Sequence, residues 1–268
     1  MGGDTMTFQR MSHEWRGYRL SWWEAGSGSR RIVLLHGGGG TGKAWAHQLT
    51  YLSQLGYHVI APDMPGFGQS DWLEGVTRVD QLGPALADWF FDQGWTSFVL
   101  GGNSMGGRVA LSLASHHPEP VEGLIILDSV GVRLPDVPIL NPLSLPPQQF
   151  MSGLVHDPSR YKTATPYRTL EDAQELNRGR QSFARYLGEE GITADPTLDL
   201  SRLTMPSLLI WGRHDRIVPL AYGQALRQAL PDAELLVIED CGHLPHIETP
   251  ELTNQAIHDF LTRRIWPH

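Results

Sequence analysis

The chain has almost no cysteine. Cys241 is the only one in 268 residues, so no intrachain disulfide can form and a reducing, cytoplasmic setting is expected. It also lacks a run of basic residues: 21 Lys and Arg stand against 29 Asp and Glu, a net charge of −8, which argues against nucleic acid as a partner. No stretch approaches the roughly 20 consecutive apolar residues of a membrane helix, so no membrane partner is expected. The first dozen residues have no apolar centre of the kind a secretory signal needs. Met1-Gly2 opens as a myristoylation site does, but Met6 stands where that site has Ser or Thr. There is no internal repeat, and no His, Asp or Glu spacing argues for a metal. The length suits one large domain, or one domain carrying an insertion.

What is present is an alternation of short apolar runs with helical stretches. Met1 to about Met11 reads as a loose tail. Tyr18 to Ala25, Arg31 to His36, Tyr57 to Asp63, Phe98 to Leu100 and Val121 to Asp128 read as strands. Between them fall a helix with Trp45, Leu49, Leu52 and Leu55 on one face, a helix through Val79, Leu82, Leu86 and Phe90, and a helix from Met105 to His116. This rhythm implies an α/β fold with a mostly parallel sheet covered on both faces. It stops after Val130, where Pro135, Pro138, Pro142, Pro146 and Pro147 break the chain. It resumes with Pro206 to Gly212 (strand), Pro219 to Leu230 (helix), Ala233 to Ile238 (strand) and a last helix from about Pro250 to Arg263. Residues 1–130 and 201–268 are therefore expected to form the core, with 131–200 inserted as a helical cap over the edge of the sheet where ligands bind.

Gly102-Asn103-Ser104-Met105-Gly106 sits between a strand and a helix and has the form of a nucleophile elbow. The turn is too sharp for side chains two positions to either side of Ser104, and Gly107 lets the helix lie close to the strand. A serine hydroxyl needs a base, and the base needs an acid to orient it. Asp215 follows the strand Leu208 to Trp211, and His243 follows the last strand, giving the order Ser104, Asp215, His243. Asp128 is an alternative acid and His246 an alternative base. His214 reads as a neighbour of the acid, Glu248 as serving the start of the last helix, and Cys241 as a small buried side chain. Gly37 to Lys43 imitates a phosphate-binding P-loop, except that Ala44 replaces the metal-binding hydroxyl. A nucleotide-binding protein and a non-catalytic ligand sensor therefore stand as alternatives to an enzyme.

These residues resemble the α/β-hydrolase family over nearly the whole chain. His36-Gly37-Gly38 is similar to its oxyanion loop, Asp63 to Ser70 to a common family segment, and Trp211 to Asp215 and Gly242 to Pro250 to its acid and base motifs. The resemblance implies the N–H groups of Gly38 and Met105 as an oxyanion hole. Epoxide- and halide-cleaving members carry Asp at the nucleophile position, and Ser104 speaks against both chemistries.

The reading is acyl transfer to water without a cofactor. Ser104 attacks, His243 shuttles the proton, Asp215 holds the imidazole, and a carboxylic ester is the default substrate. Turnover should then fall as His243 is protonated. The alternative is carbon–carbon cleavage of a vinylogous diketone. Gly102 to Gly107 and Glu175 to Arg180 resemble the meta-cleavage-product hydrolases, which cut ring-fission products of aromatic degradation. Those enzymes have Trp after the catalytic His, where this chain has Leu244, and a Gly-Pro-Gly-Ala oxyanion loop, where this chain has Gly39-Gly40-Thr41-Gly42. Where they carry an Asn soon after a Trp, His47 follows Trp45 here. A helix opened by Thr169 and Asp172 carries Ala173, Leu176, Arg180, Phe183 and Leu187 on one stripe, with Arg178 turned away. Arg180 there either pairs with an acid or reaches water, or faces the cleft and holds a substrate anion, as the resemblance implies. Self-association into a homo-oligomer is left open.

Overall fold

The computed structural model describes residues 8–188, 191 and 198–267. Eight strands form one sheet in the order β1-β2-β4-β3-β5-β6-β7-β8. They are β1 (Gln9–Trp15), β2 (Tyr18–Ala25), β3 (Arg31–Leu35), β4 (His58–Pro62), β5 (Phe98–Asn103), β6 (Val121–Leu127), β7 (Ser207–Gly212) and β8 (Ala233–Ile238). β1 pairs with β2 and β2 with β4 antiparallel; the pairings from β4 through β8 are parallel.

The parallel strands are apolar throughout because both faces are covered. Ile32, Leu34, Val59, Val99, Ile125 and Ile210 enter one core, with helices α1 (Ala46–Gln54) and the C-terminal Pro250–Phe260 over them. Their alternate neighbours Val33, Leu35, Ile60, Leu100, Ile126 and Leu209 enter the other, under α2 (Val79–Asp92), α3 (Met105–His116) and Leu220–Ala229. Between β6 and β7 the chain forms α4 (Pro147–Leu154), α5 (Pro158–Ala164) and α6 (Leu170–Leu187). The Leu220–Ala229 helix is α7, a short turn at Pro245–Glu248 is α8, and the C-terminal helix is α9. Among the described residues no helix is long and apolar enough to cross a membrane.

Three expectations change. Residues 1–7 of the supposed tail lie outside the described residues, but from Gln9 onward the chain is an edge strand paired to β2 along its length. Its composition, Gln-Arg-Met-Ser-His-Glu-Trp, hides it, because only Met11 and Trp15 reach the core and the rest of the strand is polar. Leu55 does not share the buried face of Trp45, Leu49 and Leu52; it lies past the end of α1 and is exposed. The buried seam of α6 is also not the apolar stripe. It runs one position round, through Asp172, Glu175, Gly179, Ser182 and Tyr186, with Phe183 and Leu187 beside it.

That seam is polar because it lies on loop backbone and paired charges. Glu175 receives Arg10 on both oxygens at 2.6 and 2.7 Å, and Asp172 receives Lys43 at 2.7 Å. Ser182 and Tyr186 donate to the carbonyls of Gly66 and Pro65. A Cβ on Gly179 would come within 2.6 Å of the Gly39 carbonyl, so glycine brings α6 directly onto the Gly37–Gly40 loop. The far end of the inserted segment, residues 192–197, lies outside the described residues.

Candidate active site

Ser104 occupies the turn between β5 and α3 with φ 55° and ψ −118°, a left-handed conformation that a non-glycine residue rarely adopts. A Cβ on Gly102 would overlap the backbone of Gly106, and a Cβ on Gly106 would overlap the Leu35 carbonyl. The elbow glycines are thus required by contact. Gly107 has Ser129 where its Cβ would stand, and Ser129 donates to the Ser104 carbonyl at 2.9 Å.

His243 and Asp215 come together as the sequence order predicts. Nδ1 of His243 lies 2.8 Å from Oδ2 of Asp215, and both side chains are buried. The second oxygen of Asp215 accepts from the N–H groups of Ile217 and Val218 at 2.7 and 3.0 Å. The carboxylate is held from both sides, which sets the imidazole's orientation. His243 is fixed further by its backbone: its N–H donates to Leu154 in α4, and its carbonyl accepts from the Asn103 amide at 3.0 Å.

Of the alternatives, Asp128 lies beside this pair, its ligand atoms within 4.8 Å of theirs, and His246 lines the same cavity as Ser104. His246 is fully buried with its ring on Trp45 at 4.3 Å, and its Nδ1 has no partner among the described residues. Burial pushes its pKa down to about 3. His214 is exposed and stacks on His156 at 4.1 Å, nearly parallel. These two and Asp240 bring ligand atoms within 4.8 Å of one another, a grouping that spacing did not reveal. Cys241 is buried, and burial raises its thiol pKa.

Glu248 does not serve the last helix. Its buried carboxylate accepts from Gly242 at 3.0 Å, from His156 at 3.1 Å and from Asp157 at 2.7 Å, tying the His243 loop to the link between α4 and α5. The P-loop likeness does not extend to geometry. Lys43 reaches Asp172, and the Gly42 N–H donates to Asp63 at 2.8 Å.

Ser104 and His243 line a cavity of about 140 Å³ together with Gly37 to Gly40, Asn103 and Arg180. This is near the roughly 150 Å³ of an apolar cavity that admits benzene. Much of the remaining wall is apolar: Phe150, Met151, Leu154, Leu176, Phe183 and Leu244. Tyr161 and Tyr167 add hydroxyls, and Tyr167 meets the Thr41 N–H at 3.2 Å. Gly38 lines the cavity and packs against the Phe183 ring. Met105 is the first residue of α3, so its N–H has no intrahelical acceptor.

His36 beneath this loop was read only as part of a motif, yet it fixes the loop. Its Nε2 accepts from Met64 at 3.1 Å, which leaves the proton on Nδ1 to donate to the Gly37 carbonyl at 2.8 Å. Burial lowers its pKa to about 4. Arg180 stands at the cavity wall on an exposed position, its guanidinium carbon 4.8 Å from the centre of the Phe150 ring. Among the described residues it meets no carboxylate, whereas Arg178 turns away to the Gly68 carbonyl as its helical phase predicts.

A titration follows from His246. Its ordinary value of 6.5 in the unfolded chain exceeds the folded value of about 3, so the unfolded state binds the extra proton as pH falls through that window. Stability from this group is complete above pH 6.5 and is lost below it, by about 1.4 kcal/mol per pH unit. In His246→Phe, which keeps a ring on Trp45, that loss should vanish. Urea unfolding of both proteins from pH 7 to 4 should show the wild type falling relative to the variant. Parallel curves would contradict the buried neutral imidazole.

The sequence profile of the alpha/beta hydrolase family matches residues 32–256. A 2-hydroxy-6-oxononadienedioate/2-hydroxy-6-oxononatrienedioate hydrolase of Paraburkholderia phymatum is 32% identical over 264 residues, covering 91% of each chain. Among solved structures, a thermophilic esterase from Thermogutta terrifontis is 26% identical with a TM-score of 0.75, over 94% of this chain and 98% of that one. A meta-cleavage product hydrolase from Pseudomonas fluorescens IP01 has a TM-score of 0.79 over 94% of this chain and 97% of that one; at 24% identity it speaks to the fold alone.

Proposed function

The chain belongs to the alpha/beta hydrolase family, and we propose that it is a serine hydrolase of carbon–carbon bonds, acting on an acidic ring-fission diketone in place of the carboxylic ester that the triad alone would suggest. One observation carries this reading. A guanidinium without a carboxylate partner among the described residues, Arg180, stands on the wall of an otherwise largely apolar cavity that also holds Ser104 and His243. A neutral ester has no use for it, whereas a ring-fission acid carries the anion it would pair with. The name of the relative from Paraburkholderia phymatum supports the same chemistry.

In this reading Ser104 Oγ adds to the ketone carbonyl as its proton passes to His243, and Asp215 steadies the imidazolium. The N–H groups of Gly38 and Met105 receive the oxyanion, each contributing about 3 kcal/mol to lowering the barrier. The carbon–carbon bond then breaks, and its electron pair enters the conjugated chain as a dienolate. That carbon takes the proton from His243. Water attacks the acyl-serine by the same base, and the new carboxylic acid leaves. A carbon leaving group departs only if its charge is delocalised, so a vinylogous diketone suits this chemistry and a simple ketone does not. The segment between β6 and β7, residues 131–200, acts as the cap that walls the cavity. With Cys241 as its only cysteine, the chain suits a reducing, cytoplasmic setting.

The relative's name specifies a dioate, with two carboxylates. Among the described residues lining this cavity Arg180 is the one Lys or Arg, and the other walls are mainly apolar. A monocarboxylate with an apolar tail is therefore the expected substrate here. Arg180→Gln should lower kcat/KM on the acidic diketone by about 2 kcal/mol or more while leaving short p-nitrophenyl esters unaffected. Equal losses on charged and neutral substrates would remove Arg180 from the site, and a dioate turned over better than a monoacid would contradict the single-anion cavity.

A further inference from the structure

β6 and β7 are parallel neighbours, so the residues just after each strand lie side by side. Those residues are Asp128 and, across the turn after Gly212, Asp215. Ligand atoms of Asp128, Asp215 and His243 lie within 4.8 Å of one another, and all three residues are buried, Asp128 completely. Two carboxylates this close, out of water, do not both ionise; one keeps a proton.

Their surroundings decide which. Asp215 accepts three hydrogen bonds, from Ile217, Val218 and His243, and is satisfied as an anion. Asp128 accepts one, at Oδ1 from the Gly212 N–H at 3.0 Å. Its Oδ2 is fully buried and receives no hydrogen bond among the described residues. An anion there would stand without a donor, and a neutral acid would be the donor. Burial first, and the charge of Asp215 second, raise the Asp128 pKa well above the ordinary carboxylate value. Among the described residues His243 also faces it, within 4.8 Å; the Glu248 carboxylate acts in the same direction as Asp215, and the Cys241 thiol is itself kept protonated. The residue also sits at φ 47°, a left-handed conformation that Asp and Asn tolerate better than most residues.

We propose that Asp128 is a positioning residue, a neutral acid whose carboxyl proton is donated to Asp215 and so fixes the carboxylate that orients His243. The proposal rests on the serine-hydrolase reading for its catalytic consequence but not for the protonation itself. The donated bond spreads the charge of Asp215 and loosens its hold on a protonated His243. Removing it should leave the acid less fixed and move the acid limb of the kcat/KM profile to higher pH.

Two variants and one spectrum test this. Asp128→Asn keeps the backbone conformation and offers an amide N–H in place of the acid O–H. It should retain kcat/KM within about threefold and keep the wild-type pH profile. Asp128→Gly also accepts the backbone angle but offers no donor. It should lose on the order of 10²-fold in kcat, with the acid limb shifted upward. The infrared spectrum of the wild type minus that of Asp128→Asn at pH 7 should contain the carbonyl stretch of a protonated carboxylic acid. Absence of that band would overturn the proposal, whether or not Asp128→Gly folds. So would an Asp128→Asn variant crippled by several orders of magnitude, since an ionised carboxylate would then be required. A glycine variant with wild-type turnover and profile would likewise remove the positioning role. If instead Ser104→Ala hydrolyses as well as the wild type, the serine-hydrolase reading fails, and the infrared band still decides the state of Asp128.

Discussion

Ser104→Ala is expected to leave a folded protein whose kcat falls by on the order of 10⁶, because nucleophile and base act as a unit and losing one disables the other. Folding should survive because the elbow depends on close backbone approaches at Gly102, Gly106 and Gly107 and not on the serine hydroxyl. Alanine at φ 55° carries the same strain as serine, so the loss should be chemical. Circular dichroism and single-turnover kinetics on the same preparation separate the two effects. Near wild-type turnover in that variant would mean that Ser104 is not the nucleophile.

Asp215→Asn should cost about 10⁴ in kcat. The amide can still meet Ile217 and Val218 through its oxygen, but it presents an N–H to His243 Nδ1, where the native structure has an acceptor at 2.8 Å. The imidazole then adopts the tautomer that cannot take the serine proton. This variant also sets Asp215 against Asp128, which stands beside it. If Asp128 were the working acid, Asp215→Asn would lose little and Asp128→Asn would lose the activity. The hydrogen-bond partners argue for the reverse, because His243 Nδ1 and two backbone N–H groups converge on Asp215.

The fold was legible in the sequence wherever burial on both faces wrote apolar runs into the chain. β3, β4, β6, β7 and β8 fall within a residue of their expected bounds, β5 runs three residues beyond Leu100 to Asn103, and α3 begins and ends where periodicity places it. β1 was not legible, because a polar edge strand leaves no pattern apart from the partner it pairs with. The gathering of Ser104, Asp215 and His243, the proposed triad, could be read because each follows a strand, and strand ends of a parallel sheet gather at one edge. The contents of the cavity could not. Phe150, Met151, Tyr161 and Tyr167 come from a proline-broken segment with no strand to anchor their positions. Glu248 was misread because nothing local marks a carboxylate whose partners include backbone N–H groups about 90 residues earlier. The helix α6 was placed correctly, yet its buried side was misjudged. Apolar spacing locates a helix against an apolar surface, and this one rests on carbonyls, Arg10 and Lys43.

The most direct test of the account is product analysis with a vinylogous ring-fission monoacid incubated in ¹⁸O-labelled water. Carbon–carbon hydrolysis predicts loss of the conjugated absorbance and release of two fragments, with label in the newly formed carboxylate of one of them. It also predicts a kcat/KM above that on any short p-nitrophenyl ester, and dependence on Ser104. Recovery of the diketone intact, beside rapid Ser104-dependent hydrolysis of the esters, would contradict it and return the site to ester chemistry.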